Sequence, residues 1–382
     1  MDTQLVGVIL SRRAAKDSAR SGPALGPVSQ RLVIIERLPM TATTLHGTAG
    51  SNRADFGDVG AEFRALLADC GVYDLGWRAK IALTGGDRVR WLNGMITNNI
   101  RDLAAGHGVY AFLLNPQGHI LGDLYAYNRG DSLLLDTDHS QLEKMLPVFD
   151  HYIIMDDVEV VNLSDKLTAL AVAGPRAKEV LKSAGLEVPV LDLLQFADLT
   201  WQGIGLTIVR GDNPAVESYE LWLAPANVTS LWQALVNAPA RPVGTAALDL
   251  IRIASGIPRY GQDIRERDLP QETEQQRALH FTKGCYIGQE IVERIRSRGN
   301  VHRKFTGFEG QPQLPVPGTK IQADGKEIGE ITSVASLPAA SGEHMVALGY
   351  IRREFAVPGK EVVADGARLK VTDLPFAEVF KP

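Results

Sequence analysis

The chain is short of cysteine: only Cys70 and Cys285 occur in 382 residues. A disulfide scaffold is therefore not expected, and a reducing cytosol suits the sequence better. It also lacks an apolar run long enough to cross a membrane. The run Leu5–Leu10 follows acidic and polar residues rather than a basic segment, and Arg12 and Arg13 come after it, which makes a poor signal peptide. Cytoplasm is the expected location, with no membrane partner. A surplus of positive charge is missing too. The net charge of −5 argues against nucleic acid bound across the whole surface and leaves room only for a local basic patch. What remains is ordinary: 45% apolar and 22% charged residues, in a chain long enough for two or three domains with a sizeable core.

Residues 1–43 read as a disordered extension, because the run Ser11–Gln30 is rich in Arg, Ala, Ser, Gly and Pro without an apolar period. Met40 is an alternative start, which N-terminal sequencing or intact mass would decide. A folded region is expected over 44–300. Asp58 can cap a helix carrying Phe63, Leu66, Leu67 and Cys70 on one face and ending at Gly71, which makes Cys70 a packing residue. A second helix is expected from Asp87 to Asn98. Val109–Leu114 and Ile120–Tyr127 read as a hairpin turned by Asn115-Pro116-Gln117-Gly118. Ser140-Gln141-Leu142-Glu143 is a capping box for a helix that Pro147 should bend or stop.

Further on, strands are expected at Leu167–Ala173, Gly205–Arg210 and Tyr219–Ala224. Helices open at Pro175, run through Val228–Val236, and cover Thr245–Ser255 up to Gly256. The irregular alternation with hairpins predicts an α+β fold with antiparallel sheets. From about Val301 to the end at 382, short β-rich runs punctuated by Pro and Gly predict a β-barrel or sandwich domain.

The segment His280–Glu290 concentrates unusual chemistry. Gly284 and Gly288 flank a Cys-Tyr pair and permit tight turns. Ile287, Ile291 and Ile295 lie four apart, so a helix is expected to start near Gly288. Cys285 would then precede a helix N-terminus beside Lys283, and both features favour a thiolate. A buried cysteine in a glycine turn accounts for the same residues. No second cysteine lies at metal-ligand spacing, so Cys285 could lend at most one ligand to a bridged or transient cluster. Arg294, Arg296, Arg298, Arg303 and Lys304 form a basic stretch downstream that suits a carboxylate tail or a phosphate backbone, or serves as a solvated face.

Lys283-Gly284-Cys285-Tyr286-Ile287-Gly288-Gln289-Glu290 resembles the signature of the YgfZ family, folate-binding relatives of the glycine-cleavage T-protein that support iron–sulfur enzymes. Gly85–Asn99, Asn115–Ile120, Ala173-Gly174-Pro175 and Leu250–Gly261 resemble further stretches of that superfamily, so the likeness spans about residues 44–382. It implies a T-protein-like α+β architecture: two intertwined lobes around a central hole for tetrahydrofolate, followed by a C-terminal β-barrel over 301–382. It also implies iron–sulfur enzymes or assembly proteins as partners, tRNA-modifying enzymes among those supported; a monomer is expected.

Carried over by position, Glu220 would meet the pterin, since a carboxylate can accept two N–H donors. Arg252 would face the ligand, Asp123 would be one of an acidic pair, and Cys285 with Lys283 would carry the chemistry. Tyr260 and Asn115 join the expected folate-binding set, and Trp77 is a stacking candidate. Two departures stand out: Gly122 replaces one acid of the pair, and Ala254 replaces another. They lean the expectation toward a non-enzymatic accessory protein, with a folate-dependent aminomethyltransferase or demethylase as the alternative.

Overall fold

A computed structural model describes residues 53–299, 301–310, 315–339 and 342–380. The extension expected over 1–43 lies outside the described residues. Two sheets and a barrel organise the rest. The first sheet takes its strands from one continuous stretch, in the spatial order His107–Leu114, Ile120–Asn128, Leu133–Asp138, Arg78–Thr84 and Glu159–Asn162, all antiparallel. The second runs Arg241–Pro242, Gly71–Asp74, Thr168–Ala173, Ser218–Leu223, Ile204–Arg210 and Phe196–Trp201. Its pairings are antiparallel except for the short parallel contact of Arg241 with Gly71. Gly71–Asp74 and Thr168–Ala173 are paired neighbours, yet the whole first sheet lies between them in the chain. The lobes are therefore nested: the second sheet is interrupted in sequence by the whole of the first.

The central strands are buried on both faces, as in Thr168–Ala173, whereas the edge strands Glu159–Asn162 and Phe196–Trp201 are partly exposed. Helices Arg88–Met95 and Leu142–Tyr152 cover the outer face of the first sheet through Trp91, Leu92, Met145 and Phe149. Helices Ala177–Ser183 and Val228–Asn237 cover the outer face of the second through Val180, Leu181, Leu231 and Leu235. The inner faces meet each other across Tyr127, Leu134, Ala171, Val209 and Trp222.

Several local expectations are corrected. Asp58 does cap the helix Val59–Ala68, accepting from Ala61 N at 2.9 Å. Gly71, however, opens a strand instead of closing the helix; a Cβ there would lie 2.6 Å from Leu66 Cδ2. The helix at Arg88 ends at Met95 rather than Asn98, because the next residues turn to bond elsewhere. At Ser140 the capping acceptor is Asp138, which bonds Ser140 N at 2.9 Å. The helix Leu142–Tyr152 runs through Pro147 without stopping. Cys70 is fully buried, and burial followed by the charge of Asp69 pushes its thiol up to about 12, an inert packing residue.

The C-terminal segment closes into a six-stranded barrel in the order Arg303–Gly310, Gly342–Arg352, Lys326–Ala339, Lys320–Ala323, Glu361–Ala364 and Ala367–Thr372. Phe308, Ile321, Ile331, Ile351 and Val371 fill it, and closure leaves no open edge. Helices Val59–Ala68 and Thr245–Ala254 seat the barrel against the lobes through Phe63, Ile251, Leu337 and Leu348. A charged hub locks that seat. Fully buried Asp263 accepts from Arg252 Nη1 at 2.6 Å, Arg259 N at 2.9 Å, Thr332 Oγ1 at 2.5 Å and Ser333 Oγ at 2.7 Å.

One glycine is required where the lobes join. Gly174 has φ +125°, and a Cβ there would sit 2.3 Å from Asp69 O. Gly174→Ala is therefore expected to cost about 2 kcal/mol or more, read as a lower urea midpoint at an unchanged slope.

Candidate functional site

The site grows from strand register. On the first sheet Tyr110 pairs with Tyr125, Tyr125 with Asp136, and Asp136 with Lys80, forming one cross-strand row. On the second, Tyr73 and Glu220 both pair with Ala171. Where the rows face each other a cavity of about 150 Å³ opens. Its polar walls are Tyr73, Tyr125, Tyr127, Asp212, Asn213 and Glu220. Leu66, Leu248 and Ile251 add apolar wall from the helices that seat the barrel.

Beneath it lies a buried charge cluster. Asp136 accepts from Arg78 Nε at 2.8 Å and from Lys80 Nζ at 2.7 Å. Lys80 Nζ also lies 4.9 Å from the Trp222 ring centroid, and Trp222 Nε1 donates to Glu220 Oε2 at 2.8 Å. Two cations thus face two carboxylates. Burial first, then the neighbouring Asp136, raises the Glu220 pKa, while Lys80 and Arg78 oppose the rise. Burial and the charge of Glu220 likewise push the Tyr73 and Tyr127 hydroxyls up, so these tyrosines stay neutral walls.

Asp123 shares its strand face with Tyr125 and Tyr127, two and four residues on. Its Oδ2 accepts from the Tyr110 hydroxyl at 2.7 Å and its Oδ1 from Gln141 Nε2 at 2.7 Å. Both donors are neutral. The missing acid of the pair has a structural counterpart: a Cβ on Gly122 would meet Gln141 Oε1 at 2.7 Å, so the glutamine occupies the space.

Of the expected residues Glu220 lines the cavity, Asp123 stands beside it on Tyr110 and Gln141, and the rest do not converge on it. The Arg252 guanidinium turns to Asp249 Oδ1 at 2.6 Å and to the Asp263 hub, and its Nη2 donates to Ser333 Oγ at 2.9 Å. It fastens the barrel. Tyr260 donates its hydroxyl to Leu121 O at 2.6 Å. Asn115 closes the hairpin turn, with Oδ1 accepting from His119 N at 2.9 Å. Trp77 packs at the edge of the inter-sheet core.

Cys285 is exposed, four residues before the helix Gln289–Arg298. Lys283 does not present its charge to that thiol. It is buried, and its ammonium donates at 2.6 Å to each of three carbonyls, Asn93 O, Ile96 O and Asn98 O. An ammonium has three donors, and all are spent on this cage. Burial, with Arg101 nearby, lowers its pKa to about 7.

The reading from sequence missed Tyr73, Tyr125, Tyr127, Asp212 and the Arg78–Lys80–Asp136 cluster. A usable signal existed: charged Lys80 and Asp136 interrupt apolar strands that flank them with Ile81, Leu83, Leu134 and Leu135. Asp136→Ala would leave Lys80 buried without its partner and should lower stability by about 3–5 kcal/mol. Urea denaturation at neutral pH measures it, and a loss under 1 kcal/mol would mean the pair behaves as a surface bridge.

The family described as the GCVT N-terminal domain matches residues 41–283, and the glycine cleavage T-protein C-terminal barrel domain matches residues 303–377. An aminomethyltransferase of Halothermothrix orenii is 30% identical over 312 residues, covering 79% of this chain and 85% of that protein. A putative chloroplastic transferase of Arabidopsis thaliana is 24% identical, covering 80% of this chain and 71% of its own. Among solved structures, glycine cleavage system aminomethyltransferase T from Bartonella henselae superposes with a TM-score of 0.76 at 25% identity, covering 84% of this chain and 90% of that one. With both its lobes and its barrel matched, the chain belongs to the glycine cleavage T-protein family.

Proposed function

We propose that the protein binds tetrahydrofolate in the cavity between the sheets and uses it in one-carbon transfer at an amine. The observation that carries this is Glu220: its carboxylate lines a tyrosine-walled cavity, with one oxygen taken by Trp222 and the other left to accept N–H donors from a flat heterocycle. Bound folate would supply the one-carbon carrier; Tyr73, Tyr125 and Tyr127 would wall its ring. Asp123, oriented by Tyr110 and Gln141 and carrying no cation on either oxygen, is suited to attract an ammonium-bearing substrate. The names of the relatives, aminomethyltransferase among them, support the same chemistry.

A second reading rests on two specific features. The exposed Cys285 sits in the Lys283–Glu290 stretch, and Gln141 fills the space of the second acid beside Asp123. Both favour an accessory role toward iron–sulfur enzymes, tRNA-modifying ones included, in which folate is bound without aminomethyl turnover.

Calorimetry with tetrahydrofolate should show binding that Glu220→Ala weakens by about tenfold or more. Because its carboxyl pKa is raised, binding should fall on acidification at a pH above the ordinary glutamate value of about 4.3, and Glu220→Gln should flatten that dependence. Unaltered affinity in Glu220→Ala would remove the cavity as the folate site. Turnover of a lipoate-bound aminomethyl donor to methylene-tetrahydrofolate, with release of ammonia and the dihydrolipoyl thiol and no oxidant needed, selects the transferase reading.

Cys285→Ser separates the two readings differently. The accessory reading expects lost complementation in a deletion strain with folate affinity intact. The transferase reading expects no effect on either.

A further inference from the structure

One ion pair beside the cavity stands apart from the buried cluster. Asp212 lines the cavity; its Oδ1 accepts from the Tyr125 hydroxyl at 3.1 Å, and its Oδ2 pairs with Arg277 Nη1. The Arg277 guanidinium lies over the Tyr110 ring, 4.4 Å from its centroid, and its Nε donates to Gln275 Oε1 at 3.3 Å. Tyr110 is the residue that orients Asp123, so this arginine touches both polar sides of the site.

The cations near the cavity differ in availability. Arg78 and Lys80 converge on Asp136, with side chains 20% and 0% exposed, whereas the Arg277 side chain is 31% exposed. Arg277 therefore bonds a cavity-lining carboxylate and keeps an edge open to solvent. Its planar fork of five donors suits a second carboxylate as well as it suits Asp212.

We infer that Arg277 is the anion-recognition residue of this cavity, and that a carboxylate on the ligand displaces Asp212, the internal counter-ion. The inference rests on the folate reading and deepens it: the cavity selects a ligand with a carboxylate outside its ring system. The exchange replaces one charge-assisted pair with another, so its free energy is a difference between two similar terms. Asp212 keeps its bond to Tyr125 when released. The loop backbone stays pinned, because Asn213 Oδ1 accepts from Ala215 N at 2.9 Å and Val216 N at 3.1 Å. A ligand without a carboxylate leaves the pair intact and gains nothing from Arg277.

Calorimetry with tetrahydrofolate, a tetrahydropterin lacking the tail, and the tail fragment p-aminobenzoylglutamate tests this on the full chain, Arg277→Gln and Asp212→Asn. Arg277→Gln should weaken both carboxylate ligands by about tenfold or more and leave the tetrahydropterin within about twofold. Asp212→Asn, nearly the same shape, should tighten both carboxylate ligands by about threefold or more, and it carries the test if thermal melting shows Arg277→Gln unfolded. Equal effects on all three ligands, or none, overturn the inference while leaving the folate reading standing. Failure of the unmodified chain to bind either pterin overturns both.

Discussion

The inner faces of the two sheets are held around one carboxylate. Asp136 lies between Arg78 and Lys80, with Glu220 across the gap, so two positive and two negative charges meet beneath the cavity, Lys80 and Asp136 among them closed to water. Such a cluster contributes little net stability against a well-packed apolar alternative, but it is severe about completeness, because each member left alone is a buried charge. It therefore fixes the distance and register between the sheets. The cavity above inherits that rigidity: Tyr125 is paired to Asp136 across the strands, and Glu220 is aimed by Trp222, whose ring lies against Lys80.

Two further single-residue clamps tie late chain to early chain. Lys283 gives its ammonium to the three carbonyls of Asn93, Ile96 and Asn98, and so binds the Cys285 turn to the end of the helix Arg88–Met95. Asp263 gathers Arg252, Arg259, Thr332 and Ser333, and so binds the barrel to the helix Thr245–Ala254. Both are charges used as fasteners. That explains why Lys283 and Arg252, residues chosen from sequence for chemistry, stand away from the cavity.

A division of labour follows. The cavity with Glu220 is built on strands and is rigid, whereas the Cys285 turn sits on the surface in a stretch held from below by Lys283. Gln141 sharpens the contrast, since it fills the space beside Asp123 that a second acid would need.

Local rules carried far along the chain. Asp58 as a cap, the hairpin turn with Asn115 and Gly118, the stop at Gly256 and the strands of the barrel all follow from propensities and periods that act over a few residues. The pattern also marked Cys70 as buried and the start of the helix near Gly288. Pro147 and Ser140 went otherwise because tertiary packing of Met145 and Phe149 and a nearer acceptor, Asp138, outweighed the local preference. The cavity was the least legible part. Arg78, Lys80, Tyr125, Asp136 and Asp212 come from separate strands and a loop, and a charged residue in an apolar strand reads as solvent-facing until its partner is known. The sequence by itself determined which residues could form helices, turns and barrel strands, since those choices depend on neighbours in the chain. Tertiary structure alone decided which charges face each other across the sheets, because a buried carboxylate is tolerable only where the fold delivers its cations.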